Sequence, residues 1–171
     1  MCLKISEMSS SIPVFLTATV FNTLTAQIIY NSKVDSVQNL VSSVSISNFN
    51  KELSGEVSVT VGGNTFKIYS RKYNSPMNQI AAQYIFEKLQ GFGLNTRYQY
   101  NSGTSVNVIG KKTGTKFPNK YYIICGHYDN ITQTPSDTVY GADDNASGVC
   151  GVLETARLIS NMNFEYSVYF I

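Results

Sequence analysis

The sequence predicts an α/β fold, a three-layer sandwich on a mixed, largely parallel central sheet with helices on both faces. Two observations carry the prediction. Residues 121–125 (YYIIC) and 166–171 (YSVYFI) are short, apolar and rich in β-branched and aromatic residues, the character of strands covered on both faces. Between them residues 146–160 (ASGVCGVLETARLIS) set Val149, Val152, Leu153, Ala156 and Ile159 on one helical face. Strand, helix, strand in that order is the signature of a right-handed parallel crossover. A length of 171 residues suits one domain with a real core, and 43% apolar against 14% charged residues is a globular composition, neither disordered nor membrane-spanning.

In chain order, residues 12–26 (IPVFLTATVFNTLTA) form an apolar stretch too short to cross a bilayer but suited to the core of a signal peptide. This divides the chain into a signal segment 1–26, a helical segment 27–53 and a main domain 54–171, and it predicts a secreted or periplasmic protein. Within the second segment Val34, Val37, Leu40, Val41 and Val44 share one helical face, with Asp35 or Ser36 as cap. Residues 56–71 change period. Val57, Val59 and Val61 alternate, as do Phe66, Ile68 and Ser70, and Gly62-Gly63-Asn64 between them tolerates the positive φ of a hairpin turn.

The helix over residues 73–94 has the clearest signals: Ser75 as N-cap, Pro76 at the first helical position, Ile80, Ala81, Tyr84, Ile85 and Leu89 at helical spacing, and Gly91 and Gly93 as stops. Two strands follow at 95–100 and 105–111. Residues 113–120 read as a solvated polar loop, and their lysines are spread through Gly, Thr, Pro and Asn. With a net charge of only +2 the chain lacks the basic surplus of a nucleic-acid binder. Of its three cysteines, Cys125 and Cys150 are expected as buried free thiols.

The chemistry is concentrated in residues 125–149 (CGHYDNITQTPSDTVYGADDNASGV), which hold the single histidine. His127 lies just past an apolar strand, where open α/β sheets place ligand crevices. In extended chain Asp129 falls on the same side and can accept the second imidazole N–H. Asp143 and Asp144 return at the mouth of the next helix, and either could offer an oxygen to a cation; the spacing does not choose between them. Taken singly, a histidine at a strand end or an acid before a helix is more often structural, the latter as an N-cap. The combination is what points to a hydrolytic zinc site.

GHYD at residues 126–129, followed by GADDNASGV at 141–149 and a helix ending LETARLIS, resembles the co-catalytic zinc exopeptidases that include bacterial leucyl aminopeptidase and aminopeptidase Y, metallopeptidase family twenty-eight. The resemblance spans at least residues 107–171 and implies an N-terminal portion of that domain. It implies that His127 binds one zinc, that Asp144 bridges two zincs, and that Asp129 is the catalytic residue that orients His127, with Asp143 a neighbour of the bridge. The implied substrate is a peptide cut at its N-terminus.

The same resemblance places a glutamate general base, an adjacent glutamate ligand and later Asp and His ligands beyond Ile171. Glu154, with Arg157 one turn on, suits a surface pair or a packing role, and Glu165 sits at the far end of its strand. The expectation is therefore a sheet truncated after the strand ending at Ile171, half a zinc site and little or no activity from the chain alone. A non-catalytic binding domain on the same fold and a single-zinc glutaminyl cyclase-like enzyme are the alternatives.

Overall fold

The computed structural model describes residues 30–100, 106–132 and 138–171. Its compact body is Ser32–Ile171. The stretch read as a signal peptide lies outside the described residues, and among those that are described no helix is long and apolar enough to cross a membrane.

The body opens with two helices where the apolar pattern predicts one. Helix α1 (Ser32–Gln38) ends early, and α2 (Ser43–Leu53) starts afresh where the Ser42 side chain accepts from Ser45 N–H. Val34, Leu40, Val41 and Val44 are exposed, whereas Phe49 and Leu53 of α2 enter the core. The five-residue apolar face expected over residues 34–44 is thus split by a cap: a serine that satisfies an orphan N–H starts a new helix.

The hairpin forms, with strands shorter than the alternation over residues 56–71 predicts. Strands β1 (Val59–Val61) and β2 (Asn64–Phe66) pair antiparallel with Val61 opposite Asn64, so Gly62 and Gly63, both at positive φ, make a two-residue turn. Helix α3 (Pro76–Gly91) starts at Ser75, whose side chain accepts from Met77 N–H. It buries Ala81, Ala82, Tyr84, Ile85 and Leu89.

The main sheet runs β3 (Asn95–Tyr100), β4 (Val106–Lys112), β6 (Tyr166–Phe170), β5 (Phe117–Ile124) in spatial order. Pairings β3/β4 and β4/β6 are antiparallel and β5/β6 is parallel, connected through helix α4 (Ser147–Ile159). The sheet is mixed, as expected. One of its three described pairings is parallel, a smaller share than the sequence predicts.

Helices α3 and α4 touch each other as well as the sheet, so both lie on one face. On the other face a shallow groove runs along Arg97, Gln99, Tyr121, Ile123, Tyr169 and Ile171, and no described helix covers it. Residues 121–125 are consequently not a covered central strand: Tyr121, Tyr122 and Ile123 are 57%, 65% and 53% exposed. The reason is topological. Among the described strands β5 pairs with β6 alone and so lies at the sheet edge, and Tyr121 and Ile123 point into the uncovered groove. Cys125 is exposed as well, against expectation, while Cys150 on α4 is fully buried. Part of the loop expected over 113–120 is strand, since β5 begins at Phe117 and reaches Tyr121 through an irregularity in the register.

Candidate metal centre

The parallel pairing sets the site. Ile171 N–H donates to the Ile124 carbonyl and Gly126 N–H to the Ile171 carbonyl, both at 3.0 Å, so backbone pairing continues past β5 to Gly126. His127 is the first residue past this last pairing, three residues beyond the end of β5. The start of α4 returns beside it: Ala142–Ala146 make a wide turn closed by Ala146 N–H on the Gly141 carbonyl at 3.1 Å. The Asn145 side chain accepts from Gly148 N–H at 3.0 Å and donates to the His127 carbonyl at 3.4 Å.

His127, Asp129 and Asp144 come together here. His127 Nδ1 is 3.3 Å from Asp129 Oδ1 and 3.2 Å from the Asp129 carbonyl, and Nε2 is 3.4 Å from Asp144 Oδ1. The acid beside the imidazole is Asp144; Asp143 is exposed, and its carbonyl accepts from Ser147 Oγ at 2.8 Å. Sequence spacing left that choice open. Asp137, the remaining acid of the stretch 125–149, lies outside the described residues.

The tautomer follows from the partners. Only acceptors face Nδ1, so a neutral ring carries its proton there and turns the Nε2 lone pair toward a carboxylate oxygen, which also only accepts. Two acceptors held in opposition call for a proton or a cation between them. The 3.4 Å separation is long for a charge-assisted hydrogen bond, about 2.7–2.9 Å. It matches the spacing of two ligands on one tetrahedral zinc, about 3.3 Å for bonds of about 2.0–2.1 Å. An imidazole nitrogen and a carboxylate oxygen are an ordinary zinc donor pair, so the residues fit the metal. They do not complete a site: among the described residues no three His, Cys, Asp or Glu side chains form a group that could hold a metal ion.

Sequence reasoning missed Arg71. It is fully buried beneath the two loops, where its guanidinium donates to the carbonyls of Leu53, Tyr128, Tyr140 and Gly141. Burial pulls its pKa down to about 10, against the opposing pull of Cys150, Asp129 and Asp144. Burial likewise pushes the Cys150 thiol up to about 11, with Arg71 opposing. It also pushes the Tyr128 hydroxyl up to about 12, helped by Asp129. An arginine whose partners are backbone carbonyls from separate segments leaves no spacing signature.

The described glutamates are engaged elsewhere. Glu154 is buried and takes both Nε and Nη2 of Arg157 together with Ser42 N–H, so the pair has a buried acid and a half-exposed arginine. Glu165 pairs with Lys116, Glu56 with Lys51, Glu52 with Tyr84 and Lys88, and Glu87 with Gly62 N–H and Gln83.

The fold and the His–Asp cluster define a mixed α/β domain with an exposed imidazole and two carboxylates at the end of a parallel strand pair. Residues 107–171 match peptidase family M28, over the segment that carries the resemblance read from the sequence. A "probable zinc metalloprotease" of Pyrenophora tritici-repentis is 31% identical over 94 residues, covering 53% of this chain and 19% of the relative. LapB from Legionella pneumophila shares the fold with a TM-score of 0.67 at 21% identity over 84% of this chain and 38% of its own. A leucine aminopeptidase precursor from Bacteroides thetaiotaomicron does so at 0.59 and 21%, over 77% and 47%. A glutaminyl cyclase from the same organism, bound to N-acetylhistamine, does so at 0.57 and 21%, over 75% and 45%. The chain thus spans about a fifth of that curated relative and less than half of these solved structures.

Proposed function

We propose that this chain carries part of the zinc centre of an exopeptidase that removes N-terminal residues from peptides, and that alone it turns over little or no substrate. The observation that carries the reading is the opposition of His127 Nε2 and Asp144 Oδ1 at 3.4 Å, two acceptors at zinc-ligand spacing within a segment that matches a peptidase family. His127 and Asp144 would hold the metal through Nε2 and a carboxylate oxygen. Asp129 keeps the imidazole proton on Nδ1 and so presents Nε2. When bound, zinc supplies Lewis-acid polarisation of the scissile carbonyl. Hydrolysis needs a general base besides. Every described glutamate has another partner, which supports weak turnover. The apolar composition of residues 12–26 supports export, and with it a secreted or periplasmic setting.

A second reading keeps the site and changes the reaction to single-zinc cyclisation of N-terminal glutamine, favoured by the glutaminyl cyclase among the fold neighbours. Calorimetric titration with zinc, alongside an aminoacyl chromogenic substrate and a glutaminyl peptide, separates these possibilities. We expect zinc binding that His127→Ala abolishes, and negligible turnover. No zinc binding would remove the metal reading, which a non-catalytic binding domain would then replace. Robust hydrolysis lost in H127A would overturn the inactivity, and cyclised product would select the second reading.

A further inference from the structure

Among the described residues Arg71 is the largest side chain with no solvent exposure, and its guanidinium is spent entirely on carbonyl oxygens. Burying a cation this way is costly, and an apolar side chain of similar volume would fill the space at less expense. The position therefore calls for a fork of donors. What the fork joins is informative. Nε donates at 2.7 Å to the carbonyl of Tyr128, the residue between His127 and Asp129. Nη2 donates at 2.7 Å to the carbonyl of Gly141, the same oxygen that closes the turn carrying Asp144.

Arg71 is itself held from several sides. Its N–H donates to Asn130 Oδ1 at 3.0 Å, its carbonyl accepts from Asn78 Nδ2 on α3 at 2.7 Å, and Asn130 Nδ2 donates to the Val139 carbonyl at 2.7 Å. Gly141 completes the fit. At φ +54° it adopts a conformation that L side chains avoid, and a Cβ there would stand 2.6 Å from Asn130 Nδ2 and 2.9 Å from Arg71 Nη2.

The geometry points to Arg71 as a positioning residue: its planar guanidinium fixes the spacing between the His127 loop and the Asp144 turn, and with it the spacing of the two candidate metal ligands. The Nε2 and Oδ1 lone pairs oppose each other, and apart from the long Asn145–His127 contact the guanidinium is the link that holds the two loops at this spacing. A lysine keeps the charge but offers one nitrogen, which cannot reproduce a fork on two carbonyls. The inference rests on the reading of His127 and Asp144 as metal ligands, and the test separates the two.

The experiment compares the 171-residue chain with Arg71→Lys and Arg71→Met by thermal unfolding, by zinc titration, and by NMR of the single histidine without metal. The expected result is a cooperatively folded R71K whose zinc affinity falls about tenfold or more, the usual effect of losing a group that orients a ligand. Its His127 ring signals move in the metal-free chain, and the contact from the ring to Asp144 is lost. R71K with wild-type ring signals, or with wild-type zinc affinity, would overturn the inference. So would failure of both variants to fold, which would put Arg71 in the framework alone. If the wild-type chain binds no zinc, the functional reading fails, and the metal-free ring signals still decide the positioning role.

Discussion

Removing the Glu154 carboxylate tests how the N-terminal helices are fastened to the rest. Glu154 is 3% exposed and accepts from Ser42 N–H at 2.8 Å and from Arg157 Nε and Nη2 at 2.8 and 2.7 Å. Arg157 Nη2 also donates to the Leu40 carbonyl at 3.1 Å, so the pair joins α4 to the link between α1 and α2. Breaking a fully buried pair by deleting one partner costs roughly 3–5 kcal/mol. Here the Arg157 side chain is 34% exposed and water recovers part of its solvation, which leaves about 2–3 kcal/mol for Glu154→Ala. For a chain of this size, at about 2–4 °C per kcal/mol, the melting temperature should fall by about 4–12 °C at neutral pH.

The pH dependence is the sharper test. The hydrogen bonds from Arg157 are the main cause holding the Glu154 pKa below its usual value. A depressed carboxylate contributes stability above its unfolded pKa, about 4.3, and loses that contribution as pH falls through the folded value. The gap between wild type and E154A should therefore be full at pH 7 and narrow progressively in acid, as followed by circular dichroism melts. Equal stability at pH 7, or a gap that stays constant down to pH 3, would refute the reasoning.

Two further outcomes follow. Cys125 should be alkylated in the native chain and Cys150 only on unfolding, as read by peptide mass spectrometry, because Cys125 is exposed while burial both shields Cys150 and pushes its thiol up to about 11. Residues 12–26 should be removed on export, so N-terminal sequencing of secreted material should find a start after Ala26; an intact Met1 would contradict the signal-peptide reading.

What the sequence showed and what it concealed divide along local and non-local lines. The Ser75-Pro76 helix start and the Gly62-Gly63 turn are local devices, and both form where the residues place them. The meeting of His127, Asp129 and Asp144 was also legible, because a strand end, a two-residue step and a helix mouth bring the three together within one crossover. The exposure of Tyr121–Ile123 was not. A short apolar run reads the same in the middle of a sheet and at its edge, and only the insertion of β6 beside β4 decides which it is. The split between α1 and α2 turned on one serine cap that outweighed a continuous apolar pattern. Arg71 was beyond reach for a related reason: its four carbonyl acceptors come from Leu53, Tyr128, Tyr140 and Gly141, which only the fold brings together.

Because the chain has one histidine, selective isotopic labelling of imidazole gives one ring to follow. Titrating zinc while recording the two ring nitrogens of His127 tests the central claim most directly. The account predicts that the Nε2 signal moves on binding, that the Nδ1 proton is retained toward Asp129, and that Asp144→Asn weakens the response. Zinc that leaves the ring unperturbed, or that binds through Nδ1, would contradict it.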